Sequence, residues 1–174
     1  MKFAKPITEL PPRPSWLLRA EVMPTVSIKI PKRELEARYF HFAVLPERLF
    51  FARTDDKGFI EITAKQILSL EKKLILELSK QKSLNDCAER NDKGTKLEIS
   101  GRFEEAITVY EENIKPGCWP AMHSFDRLLV LYRKCRDYKN ELRVCKRAVK
   151  VFKTLDKYRK RLEKIKLLYA NKKS

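Results

Sequence analysis

The sequence predicts an α+β protein: a small N-terminal antiparallel β meander with a covering helix, followed by a helical hairpin array and a basic C-terminal capping helix. Three observations predict it. Val26, Ile28 and Ile30 alternate with Ser27 and Lys29, the period of a strand with one buried face. From Ile67 onward apolar residues recur at helical spacing through Leu70, Leu74 and Leu78. A pattern of small and aromatic residues around Phe103 returns around Tyr138, 35 positions later. With 174 residues, 43% of them hydrophobic and only four glycines, the chain can bury a core, which excludes disordered and collagen-like classes.

Three segments follow from this pattern: an extended Pro-rich arm over residues 1–15, a meander plus helix over 16–84, and helical repeats with a capping helix over 85–174. Pro6, Pro11, Pro12 and Pro14 fix extended geometry in the arm and remove amide donors. Trp16 is expected to anchor its end. Beyond the strand that Pro31 closes, the aromatic and aliphatic runs Tyr39 to Leu45 and Leu49 to Thr54 predict two more strands, with a turn at Pro46-Glu47. Asp55-Asp56-Lys57-Gly58 predicts a turn before a last strand, Phe59 to Ile62. Thr63 and Gln66 have the spacing of a capping box, in which each side chain satisfies the other residue's amide, so a helix should start there and cover the meander.

The repeat carries the clearest information. Gly94, Leu97, Gly101, Phe103, Ala106 and Tyr110 are ordered so that small residues let two helices approach and aromatics fill the groove between them. Phe125, Leu128 and Tyr132, then Asp137, Tyr138 and Ala148, form a second copy. Over roughly residues 85–152 this resembles the tetratricopeptide repeat family, whose period is about 34. The second copy departs from the family pattern: Glu141 stands where a small residue is expected and Leu129 where a glycine is. Leu155, Tyr158, Leu162, Ile165 and Tyr169 lie on one face of the last segment, as a solvating cap requires. Any apolar surface the caps leave uncovered would be buried by another protein or by a second copy, a homodimer.

The resemblance implies a partner groove on the concave surface made by the first helix of each pair. By position, that surface comprises Asn91, Thr95, Glu98, Asp126, Arg127, Val130 and Arg133. Its mixed charge does not match the Lys/Asn/Arg pattern with which some relatives hold a C-terminal carboxylate.

Charge adds a second candidate surface. The formal net charge is +16, and residues 146–174 carry 12 basic side chains against two acidic ones. Such an excess favours acidic partners, whether protein or nucleic acid. On a helical wheel Lys157, Lys160, Arg161 and Lys164 point away from the apolar face and form a basic face. Two functions are expected from these features. The first is a non-enzymatic adaptor or regulatory subunit that binds another protein or peptide, acidic in character, through the groove. The second is nucleic-acid association, with the basic face and Lys29, Arg38, Arg48 and Arg53 on phosphates; Phe40 and Phe42 would stack on bases if they lay on an exposed sheet face, but they read as core.

Enzyme chemistry has no motif here. His41 and His123 lack a sequence-readable nucleophile or carboxylate partner, and Gly58, Gly94, Gly101 and Gly117 form no phosphate-cradling pattern. Cys87, Cys118, Cys135 and Cys145 show no C-x-x-C spacing, so Cys118 and His123 are not expected to hold a metal and the cysteines read as buried apolar residues. Glu104-Glu105 and Glu111-Glu112 read as solvated pairs. No cofactor is expected. The opening residues lack the apolar stretch of a signal peptide and no run is long enough to span a bilayer, so a cytoplasmic protein without membrane insertion is expected.

Overall fold

The computed structural model describes residues 10–171, and the Pro6 part of the predicted arm lies outside them. Two compact units divide the chain between Lys82 and Ser83. The protein is mostly helical, with one small antiparallel sheet near the N-terminus and a helical array after it.

In the first unit, the predicted outer strands form and pair. β1 (Ser27–Pro31) and β2 (Phe59–Thr63) are antiparallel, with Ile28 opposite Ile62 and Ile30 opposite Ile60. These four isoleucines are buried, as period-two alternation demands. The turn before β2 is held by Asp55, whose carboxylate accepts the amides of Phe59 at 2.9 Å and Lys57 at 3.1 Å.

The middle of the meander is different from the sequence expectation. Tyr39 to Leu45 is not a strand: α2 (Lys32–Tyr39) runs into a 3-10 turn at Phe40–Phe42, which Ala43 ends in the left-handed region at φ 50°. Nor is Leu49 to Thr54, because α3 (Glu47–Phe50) starts after Pro46. Leu35 and Tyr39, four apart and both fully buried, explain the outcome. Arg38 is buried with them, and spacings of three and four put all three on one face of a helix, whereas in a strand Arg38 would face away from Leu35 and Tyr39. A further helix, α1 (Ser15–Val22), buries Trp16, Leu17 and Ala20, and the Trp16 indole donates to Glu34 at 2.9 Å.

The capping box forms: the Thr63 amide donates to Gln66 Oε1 at 3.1 Å and the Gln66 amide to Thr63 Oγ1 at 3.3 Å. It opens α4 (Ala64–Ile99), whose Ile67, Leu70, Leu74 and Leu78 join the core that the sheet and α1 build. The predicted boundary between residues 84 and 85 falls inside this helix, because no glycine or proline interrupts the run before Gly94.

The second unit contains the end of α4 and four helices: α5 (Phe103–Asn113), α6 (Met122–Lys134), α7 (Tyr138–Val151) and α8 (Asp156–Asn171). Its core includes Leu97, Ala106, Tyr110, Phe125, Leu128, Val144, Ala148, Tyr158 and Ile165. At Gly94 the Tyr110 side chain of α5 packs directly against α4, since a Cβ there would lie 2.5 Å from the Tyr110 ring. Gly101 (φ 76°) turns the chain from α4 into α5, and Arg136 (φ 59°) takes the corresponding left-handed position between α6 and α7. Asp137 then caps α7 by accepting the Asn140 amide at 3.0 Å. On α8 the expected apolar face forms from buried Tyr158 and Ile165 with half-buried Leu155 and Leu162, while the Tyr169 side chain lies outside the described set.

Cysteine placement corrects one expectation. Cys87 and Cys145 are buried, but Cys118 is half-buried and Cys135 is exposed. Cys135 is the C-cap of α6, where the helix surrenders its packed face to the turn.

Candidate functional site

The predicted groove residues sit on the end of α4 and on α6, and they do not all remain available to a ligand. Asn91 is taken up internally: its Oδ1 accepts from Asn113 Nδ2 at 3.1 Å and from Ser124 Oγ at 2.6 Å, and Asn113 also donates to the Cys87 carbonyl at 3.1 Å. Asn113 and Ser124 are buried, so this network satisfies polar groups inside the hairpin contact. Glu98 and Arg127 neutralise each other through a two-pronged ion pair, and Tyr110 adds a hydroxyl donor to Glu98 at 2.9 Å. The hydrogen bond from Arg127 is the main reason the Glu98 carboxyl is held below its ordinary value. Thr95 is exposed and donates to the Asn91 carbonyl at 2.9 Å.

Farther along α6 the face changes character. Val130 is exposed, Asp126 pairs with Lys157 of α8 at 2.8 Å, and Arg133 reaches a groove that α8 also lines. Arg133, Lys157, Lys160, Arg161, Lys164 and the leucines 167 and 168 border this groove, which has a volume of about 740 Å³. Of the seven residues predicted for the partner groove, Arg133 lines this α6–α8 groove together with the predicted basic-face residues, and Asp126 reaches it through Lys157.

Arg161 requires a correction. It was expected to face solvent with the three lysines, yet it is half-buried, and its Nη2 donates to the Leu129 carbonyl at 2.8 Å and to Glu141 at 3.1 Å. It lies at the edge of the basic arc on the wheel, close enough to the core side to reach back across α6. Glu141, the residue that breaks the repeat pattern, is the centre of the arrangement. Its carboxylate is fully buried (0% exposed) and takes Arg133 through Nε at 2.6 Å and Nη2 at 2.8 Å. The hydrogen bond that Arg133 donates to Glu141 raises its guanidinium further above its already high value. One buried carboxylate therefore fixes two guanidinium groups whose side chains remain 37% and 34% exposed at the groove.

Leu167 and Leu168 were not anticipated. They are 67% and 43% exposed beside the cations. The signal existed: on the wheel that places the lysines, both leucines fall within or next to the basic arc instead of on the apolar stripe. Other candidates scatter. Cys118 donates its thiol to the Glu112 carbonyl at 3.3 Å, whereas the His123 ring meets the Tyr110 ring edge-on at 5.8 Å. In the first unit Arg38 is buried in an ion pair with Glu71 and Lys29 pairs with Asp55, so neither is a free phosphate contact. Phe40 is exposed and Phe42 half-buried.

No protein family, curated protein or solved structure matches this chain. Among the described residues no helix is long and apolar enough to cross a membrane.

Proposed function

We propose that this chain is a non-enzymatic docking module of tetratricopeptide type that receives an acidic, leucine-containing segment of another protein on the face shared by α6 and α8. The groove around Arg133 and Arg161 carries the reading. Its cations outnumber its carboxylates, two arginines are positioned in advance by Glu141, and two exposed leucines offer the apolar contact that a protein segment can use and a bare phosphate chain cannot. Guanidinium groups oriented before binding lose little side-chain entropy when a carboxylate arrives. The repeat-like features that support the tetratricopeptide reading are the Gly94–Tyr110 approach, the buried Ala106 and Ala148, and the matching left-handed turns at Gly101 and Arg136.

The test uses two fluorescein-labelled peptides, one with Glu and Leu on the same helical face and one with every Glu changed to Gln. The acidic peptide should bind, the neutral one should bind at least about tenfold more weakly, and Lys160→Glu with Lys164→Glu should abolish the difference. Leu168→Ser should weaken the acidic peptide without altering its salt dependence. Equal binding of both peptides, or binding indifferent to the charge reversal, would overturn the proposal.

A further inference from the structure

The other helix of the second hairpin carries a separate cationic surface. Lys139, Arg143, Lys146, Arg147 and Lys150 fall at helical spacing on one face of α7 and, with Leu142, line a cleft of about 530 Å³. No residue is common to this cleft and the α6–α8 groove. Arg143 is partly neutralised, since it pairs with Glu111, whose carboxylate also accepts the Tyr132 hydroxyl at 2.7 Å. Lys139, Lys146 and Lys150 are exposed, and neither they nor Arg147 form an ion pair among the described residues.

We infer that this face of α7 binds the phosphate backbone of a nucleic-acid strand. From Lys139 to Lys150 the face is about 16 Å long at the helical rise, a length over which one strand of a B-form duplex presents about five phosphates. Its composition selects this occupant. Leu142, the sole apolar lining residue, is half-buried and packs against the core, so the face lacks the exposed apolar anchors by which a helix enters a bilayer or grips a protein. Phosphate contacts need only positive charge at the right spacing, with arginine forks adding geometry. The α6–α8 groove, with Leu167 and Leu168 exposed, has the opposite composition. The molecule would then hold an acidic protein segment on one side of the hairpin and a nucleic-acid backbone on the other helix.

The experiment titrates the full chain against fluorescein-labelled oligo(U) RNA and a labelled DNA duplex at several salt concentrations. Lys139→Gln, Lys146→Gln and Lys150→Gln are combined in one variant, and Lys160→Gln with Lys164→Gln serve as the control. All five positions are exposed, so thermal midpoints should stay near that of the wild type. The α7 variant should lose on the order of ten- to a hundredfold in RNA affinity near physiological salt, and its log–log salt slope should fall by about 2, or about 0.7 per lost contact. The control should keep both, while the acidic peptide should show the reverse pattern. Equal losses in the two variants would reduce the effect to net charge and overturn the inference. So would the absence of binding to either polymer, or tighter binding to phosphatidylserine vesicles than to RNA with the same loss in the α7 variant.

Discussion

Each unit buries one carboxylate beside arginine, and the two arrangements differ in what remains of the guanidinium. In the first unit Glu71 accepts from Arg38 through Nε at 3.0 Å and Nη2 at 2.6 Å, and from the Tyr39 hydroxyl at 2.9 Å. The other terminal nitrogen of Arg38 donates to the carbonyls of Pro11 at 3.1 Å and Pro12 at 2.8 Å. That side chain is 4% exposed, so its donors are consumed in tying the proline segment to α2 and α4. In the second unit Glu141 is at least as deeply buried, yet it holds two arginines that stay more than one-third exposed and line a groove. Burial of the carboxylate does not separate architecture from recognition. The exposure of its partner does.

The largest expected effect is Arg38→Met. Removing one member of a buried pair leaves Glu71 uncompensated and should cost about 3–5 kcal/mol in urea unfolding. A loss below about 1 kcal/mol would mean that water reaches Glu71 and that the contrast with Glu141 is false.

Acid should report the same site. Burial alone would raise the Glu71 carboxyl, but hydrogen bonds from Arg38 and Tyr39, with the attraction of Arg38, together outweigh it and hold the group below its ordinary value. As pH falls, the unfolded chain takes up this proton first. The contribution of Glu71 is therefore complete at neutral pH, starts to decline near the ordinary glutamate value of about 4.3, and is gone once pH passes below the folded value. The difference in urea midpoint between wild type and Glu71→Gln should shrink across that window, and a difference that grows with acid would reverse the assignment.

Glu141→Gln should cost less, about 1–2 kcal/mol, because the freed arginines can turn to water. Affinity for the acidic peptide should nevertheless fall, since Arg133 and Arg161 lose their common anchor. Stability loss as large as for Arg38→Met, with peptide binding unchanged, would make Glu141 a second purely architectural pair.

The smallest effect concerns thiols. Burial pushes the Cys145 thiol up to about 11, and its Sγ lies 3.4 Å from the Tyr158 carbonyl, one turn from Glu141. Labelling of Cys135 in the native protein should therefore be fast and that of Cys145 slow, with Cys145 modestly faster in Glu141→Gln. Fast wild-type labelling of Cys145 would show that the α7–α8 contact around Glu141 opens readily.

Much of this was legible because it is local. The alternation of Ile28 and Ile30, the Thr63/Gln66 box and the Asp55–Gly58 turn each act over a few residues, so a short window contains the whole cause, and the repeat shows because a short pattern around Phe103 returns around Tyr138. The exposed lysines of α8, Lys157, Lys160 and Lys164, were legible for the same reason, but the inward turn of Arg161 was not. What the tertiary structure alone decided involves partners far apart in the chain. Tyr39 reads as a strand residue beside aromatic neighbours and becomes the end of a helix because Leu35 and the core take that face. Glu71 lies 33 residues from Arg38, and Glu141 lies eight from Arg133 and 20 from Arg161. A charge pair across such separations leaves no period for a sequence to display. Only packing decides whether the carboxylate is dry and how much of the arginine remains for a partner.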